Sequence, residues 1–208
     1  MFLAKLVLDG AFAHVRRDLA DAYQLHRTLV RFFADDEASP PRRFLWRLEA
    51  DAGQCAVGAA TVLIQSAQPG NWEAIENLEG YRLAGQKDVE LDALLRRGRH
   101  YSFRVLANPT VTRAGKRYGL VGEEAQREWL SRQAERNGFA LQESVVTGSS
   151  RLTVKQSRSG HRMTVDTVRF DGVLTVEDVG KVHDVLINGL GHAKALGLGL
   201  LSIAPLQS

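Results

Sequence analysis

Four side chains close together near the start of the chain have the types needed to move a proton at a phosphodiester: Tyr23, His26, Arg27 and Arg31. On a helix wheel, His26 lies at the edge of an apolar stripe. Tyr23 falls about 60° further round, Arg27 about 40° beyond that and Arg31 about 40° more. Such a face offers an imidazole, a phenol and two guanidinium groups within a side chain's reach of each other. An imidazole titrates near neutrality and passes protons in either direction. A phenol orients it or shares the transfer, and guanidinium groups stabilise the added charge of a pentavalent phosphorane. RNA brings its own nucleophile, the 2′-hydroxyl, so this chemistry requires no metal and no cofactor. An amphipathic helix with an ordinary basic face has the same pattern, so these residues suggest a ribonuclease without establishing one. The remaining histidines, His14, His100, His161, His183 and His192, show neither HxH nor HExxH spacing, which speaks against a catalytic metal site. Gly148-Ser149-Ser150 lacks the G-x-S-x-G frame of a serine nucleophile.

The chain that must position these groups has 208 residues, 44% hydrophobic and 25% charged, with 27 Lys+Arg against 24 Asp+Glu. That length suits one or two globular domains, and the composition excludes wholesale disorder. A single cysteine, Cys55, excludes an internal disulfide and a thiolate zinc site. No apolar run approaches the ~20 residues of a membrane helix. The apolar patch at the N-terminus is broken by Lys5 and Asp9, too early for a signal peptide. A soluble, cytoplasmic protein with no membrane contact is expected.

The net charge of +3 hides an asymmetry. No acid lies between Asp92 and Glu123, where Arg96, Arg97, Arg99, Arg104, Arg113, Lys116 and Arg117 are found. A second acid-free stretch, from Glu143 to Asp166, carries Arg151, Lys155, Arg158 and Arg162. Segments of one sign raise the local potential and favour a polyanion, so nucleic acid is the leading partner.

The order of elements is legible from periodicity. Phe2 to Leu8 reads as a mostly buried strand. A helix follows, with Asp21 and Gln24 spaced as a capping box and a start as early as Asp18. Its apolar stripe is Ala22, Leu25, Leu29, Phe32 and Phe33, ending before Ser39-Pro40-Pro41. Phe44, Trp46 and Leu48 alternate with Leu45, Arg47 and Glu49 in a strand that pairs with Val57 to Gln65 across a turn at Asp51–Gly53. A short helix over Trp72 to Leu78 and a weak strand over Tyr81 to Leu83 close a βαββαβ unit. The second half repeats that order. A strand at Tyr101, Phe103 and Val105 stops near Asn108-Pro109, and a helix over Glu123 to Asn137 ends at Gly138. Phe139 to Val146 is a strand, followed by a long hairpin from Arg151 to Phe170 that turns near Ser159-Gly160, with Val173 to Val176 continuing the sheet. A helix over Glu177 to Asn188 and a strand over Leu200 to Ala204 complete it. The expected fold is α+β, two tandem ferredoxin-like (RRM-like) βαββαβ domains over 1–90 and 99–208, with Asp88 to Arg99 as the linker.

Between the last helix and last strand runs Gly189-Leu190-Gly191-His192-Ala193-Lys194-Ala195-Leu196-Gly197-Leu198-Gly199. A Walker loop or a dinucleotide fingerprint has a strand before its glycines and a helix after them; here the order is reversed. Glycines at Gly189, Gly191 and Gly197, with Lys194, let backbone N–H groups approach a phosphate closely. They serve equally as a tight helix-to-strand connection.

The chain resembles, over nearly its full length, the CasE-type repeat-processing endoribonucleases of type I-E CRISPR systems. The resemblance is carried by Tyr23-Gln24-Leu25-His26-Arg27, by Phe103-Arg104 with Ala107-Asn108-Pro109, and by Phe170-Asp171-Gly172-Val173-Leu174-Thr175-Val176. The glycine-rich segment running on through Leu200-Leu201-Ser202 to Pro205 carries it most specifically. It implies two ferredoxin-like domains and metal-independent cutting of CRISPR precursor RNA at the base of the repeat stem-loop. The 2′-hydroxyl would attack the adjacent phosphate, leaving a 2′,3′-cyclic phosphate and a 5′-hydroxyl. It further implies retention of the processed RNA as a subunit of the Cascade complex. The family's helix histidine falls on His26 and its tyrosine on Tyr23; a basic residue one or two turns later matches Arg31, and Arg27 follows the histidine. His192 stands where many relatives have proline. The hairpin basics Arg151, Lys155, Arg158 and Arg162 are assigned to RNA binding by charge and position. A non-catalytic RRM-type module is the alternative, but the chain has no K/R-G-F/Y-G/A-F-V run, and only Tyr101 and Phe103 would stack bases.

Overall fold

Ala4, Leu6 and Leu8 are buried while Lys5 and Asp9 are exposed, so the first strand, β1 (Phe2–Asp9), turns one face into a core. The computed structural model describes residues 1–34, 40–49, 58–155 and 162–206. By their contacts they form two units, residues 1–89 with 154–163 and 195–197, and residues 90–153 with 164–194 and 198–208.

In the first unit β1 is followed by α1 (Ala13–Ala20), α2 (Ala22–Val30), β2 (Phe44–Glu49), β3 (Ala59–Ser66), α3 (Glu73–Glu76) and β4 (Tyr81–Asp88). The sheet order is β2-β3-β1-β4, with each neighbouring pair antiparallel. Leu25 and Leu29 of α2, with Phe32 and Phe33 just beyond it, pack with Leu6, Leu8, Trp46, Val62 and Ile64 in one buried cluster. Burying each such side chain contributes about 1.5–3 kcal/mol. The stripe therefore fixes which face of α2 is left for chemistry.

In the second unit α4 (Leu91–Leu94) leads into β5 (His100–Ala107), β6 (Thr110–Arg113), β7 (Lys116–Gly119), α5 (Glu123–Arg136), β8 (Phe139–Lys155), β9 (Arg162–Val176), α6 (Val179–Asn188) and β10 (Leu201–Pro205). Its main sheet has the order β10-β5-β9-β8. Both sheets thus place the first and third strands of a βαββαβ run at the centre, the ferredoxin-like arrangement. Val182, Val185 and Leu186 of α6, with Trp129 and Leu130 of α5, are buried with Tyr101, Phe103, Phe170 and Leu174 of the strands.

Several expectations are corrected. The single first helix is two, because extended backbone at Asp21 (φ −140°, ψ 109°) interrupts it and α1 starts five residues before Asp18. Helix α2 stops at Val30, so Phe32 and Phe33 join the core from a turn. Strand β2 is buried on both faces. Arg47 is only 3% exposed, its guanidinium paired with Glu49. The stretch from Asp88 to Arg99, expected as the linker, contains the division between the units after Val89 and also the end of β4 and all of α4. Strands β6 and β7, a two-stranded ribbon between β5 and α5, went unread. The turns at Asp51–Gly53 and Ser159-Gly160 lie outside the described residues, as does Val57.

Candidate active site on the second helix

Asp21 both breaks the helix pair and starts α2: its carboxylate accepts the backbone N–H of Tyr23 at 2.9 Å. An Asp in this position stabilises a helix by about 1 kcal/mol. Just before it, Asp18 is 2% exposed and accepts from Thr28 Oγ1 at 2.6 Å, the Tyr81 hydroxyl at 2.8 Å and Arg17 Nε at 3.2 Å. One buried carboxylate thus ties α1, α2 and the start of β4 together. Burial, reinforced by the hydrogen bond and charge of Asp18, pushes the Tyr81 phenol far above its usual range.

On this fixed helix the His26 ring stacks on Phe44, the first residue of β2, with centroids 5.3 Å apart and planes 25° off parallel. Its Nδ1 is buried and has no hydrogen-bond partner. Burial lowers the pKa below the ordinary 6.5, because the charged ring loses solvation and no acid compensates. At neutral pH the imidazole is therefore neutral. Tyr23 is half-buried and Arg27 exposed on the same helix. Arg31 ends α2 as its C-cap. It borders an open depression of about 450 Å³ beside Asp18, with His14, Arg17 and Thr28, whose lining includes neither His26 nor Tyr23.

In the glycine-rich segment Lys194 Nζ donates to the Gly191 carbonyl at 2.7 Å, closing the loop on itself. Gly189, Gly191, Gly197 and Gly199 all have φ between 73° and 88°. At Gly197, assigned with the first unit, a Cβ would stand 2.8 Å from the Trp46 ring. Trp46 is two residues along β2 from Phe44, on the same strand face, so the last part of the loop packs beside the residue that underlies His26. Gly197→Ala, strained by φ and by that contact, is expected to cost about 1–3 kcal/mol in chemical denaturation.

A family model described as "CRISPR associated protein" matches residues 1–205. The chain belongs to the CRISPR-associated protein family. It is 35% identical to the CRISPR-associated endoribonuclease Cse3 of Thermus thermophilus, over 99% of this chain and 100% of that one. It is 30% identical to the CRISPR system Cascade subunit CasE of Escherichia coli K12, again over 99% and 100%. A solved structure of Cse3 bound to a 19-nucleotide RNA superposes with a TM-score of 0.88 at 35% identity, covering 99% of this chain and 100% of that one.

In this CRISPR-associated protein the hairpin basics do not behave alike. Arg151 on β8 is exposed but already paired, its Nε donating to Asp166 Oδ1 of β9 at 2.8 Å. That cross-strand carboxylate competes with any phosphate for the guanidinium. Lys155 and Arg162 fall at the ends of β8 and β9; their side chains, and all of Arg158, lie outside the described residues. Periodicity gave no sign of Asp18 or Phe44 as supports for the site. Their contacts span 63 residues from Asp18 to Tyr81, or pass from a helix to a strand, and no local pattern encodes such pairings.

Proposed function

We propose that this chain is a metal-independent endoribonuclease that cuts CRISPR precursor RNA at the base of the repeat stem-loop. After cutting it retains the product as a Cascade subunit in the cytoplasm. The observation that carries this is His26: a neutral imidazole with one nitrogen sealed in, held by a phenylalanine stack on an aspartate-capped helix, beside Tyr23 and Arg27. Full-length similarity to an endoribonuclease solved with RNA and to a Cascade subunit supports the substrate and the assembly.

In this reading the 2′-hydroxyl loses its proton to His26 Nε2 as its oxygen attacks the adjacent phosphorus. The bond from phosphorus to the 5′-oxygen breaks, and that oxygen takes a proton from the Tyr23 hydroxyl, which recovers one from the now protonated His26. The products are a 2′,3′-cyclic phosphate and a 5′-hydroxyl. Arg27 offsets the charge of the phosphorane, and Arg31, at the depression beside Asp18, contacts the RNA backbone. Arg151, Lys155, Arg158 and Arg162, with the loop from Gly189 through Gly191 and Lys194 to Gly197, hold the RNA backbone, since duplex RNA is recognised chiefly through shape and phosphates.

The test is a labelled repeat stem-loop incubated with the protein in excess EDTA. One discrete cut bearing a cyclic-phosphate end is expected. Binding without cleavage, or cleavage abolished by EDTA, overturns the proposal.

A further inference from the structure

The ribbon of β6 and β7 is hydrogen-bonded to neither four-stranded sheet. Its turn residues Ala114 and Gly115 both have positive φ, 47° and 75°, the I′ geometry of a tight hairpin. Its register pairs Val111 with Tyr118, Thr112 with Arg117, and Arg113 with Lys116. Residues opposite each other share a face, and successive pairs alternate. Arg117 and Thr112 therefore lie on one face. The charge of Arg117 reaches His192 in the glycine-rich loop, where burial first, then Arg117 and Lys194, lower the imidazole's pKa. The opposite face carries Val111, Tyr118, Arg113 and Lys116. Tyr118 is 50% exposed there, one of the few large apolar side chains so open among the described residues, and both cations are exposed. The whole ribbon sits in the acid-free stretch between Asp92 and Glu123.

We infer that this outer face binds single-stranded RNA, with a base stacked on Tyr118 and flanking phosphates on Arg113 and Lys116. The inference rests on the RNA-processing proposal and extends it to the unpaired segments that adjoin the stem. Single-stranded RNA fits better than duplex because a paired base inside an A-form helix has no free face to offer an aromatic ring. An aromatic ring next to a cross-strand pair of cations, on an acid-free strand pair, is the stacking-plus-phosphate arrangement that single strands require.

The probe is a repeat stem-loop with a 2′-deoxy substitution at the cut, so that binding is read without cleavage. One version carries uridine-rich unpaired extensions at both ends and another is blunt. Tyr118→Ala is expected to weaken binding of the extended RNA about tenfold, leave the blunt RNA unchanged, and be rescued by Tyr118→Trp. Arg113→Ala with Lys116→Ala is expected to flatten the salt dependence for the extended RNA by about 0.7 per cation. Unchanged binding of the extended RNA by Tyr118→Ala overturns the inference, as does equal loss on both RNAs. So does a wild type that holds both RNAs equally, while the stem-loop proposal survives. A wild type that binds neither RNA brings down both.

Discussion

His26→Phe is expected to lose at least ~100-fold in single-turnover cleavage while the folded protein becomes no less stable. The loss is the lower range for removing a general acid or base. Stability is spared because the substitution keeps the ring on Phe44 and discards a buried nitrogen that has no partner. An unpaired buried polar atom costs about 1–3 kcal/mol. The two readouts are a cleavage time course and a denaturant melt at pH 7. A variant that cuts at the wild-type rate sinks the assignment of the site, and one that unfolds sinks the account of the stack.

The same substitution has a pH signature. The folded pKa of His26 lies below the value of 6.5 for an unperturbed histidine. As pH falls through 6.5 toward the lowered folded value, the unfolded chain takes up a proton that the folded chain refuses, so wild-type stability declines across that window. Above 6.5 both states are neutral and no such decline exists. In the His26→Phe variant this component is gone, so its stability advantage over wild type should grow between pH 7 and pH 5. An advantage that stays constant with pH would show that burial does not shift the imidazole.

Asp18→Ala is the second large effect, and it acts on stability first. Its carboxylate is 2% exposed and receives the hydroxyls of Thr28 and Tyr81 as well as Arg17. Truncation leaves the buried Tyr81 hydroxyl without that acceptor and removes charge-assisted hydrogen bonds, for an expected loss of about 3–5 kcal/mol. Because Thr28 lies on α2, two residues from His26, the helix that carries the imidazole loses its polar tie to α1 and β4, while the Asp21 cap remains. Cleavage should therefore fall in Asp18→Ala even at temperatures where circular dichroism shows it folded. A melting temperature within a degree or two of wild type would refute this role.

How much of this was legible beforehand differs from element to element. Strands such as β1 and β5 advertise themselves because alternate residues must enter a core. Helix α5 does so through an amphipathic repeat closed by Gly138. Helix α1 gave little warning: its N-cap, Phe12, makes no side-chain capping bond, and of its eight residues only Val15 and Asp18 are buried. The ribbon of β6 and β7 was missed for a related reason. It is short and buries nothing of its own in β7, so it carries no periodic signal. Tyr23, His26 and Arg27 were found together because helical spacing is a local rule. The separation of Arg31 toward the depression beside Asp18 was not, because the end of α2 depends on the turn that sends Phe32 and Phe33 inward.

Read alone, the amino-acid order determined the two-fold repeat of βαββαβ elements, the acid-free stretches, and the helix bearing imidazole and phenol. Each follows from short-range periodicity or from counting charges. The tertiary structure decided that one face of the imidazole rests on Phe44, that its Nδ1 is sealed from water, and that Arg151 pairs with Asp166. The physical reason is that solvation and partner choice at a side chain are set by whatever surface folds over it. That surface comes from residues distant in the chain, which no periodicity within a helix or strand specifies.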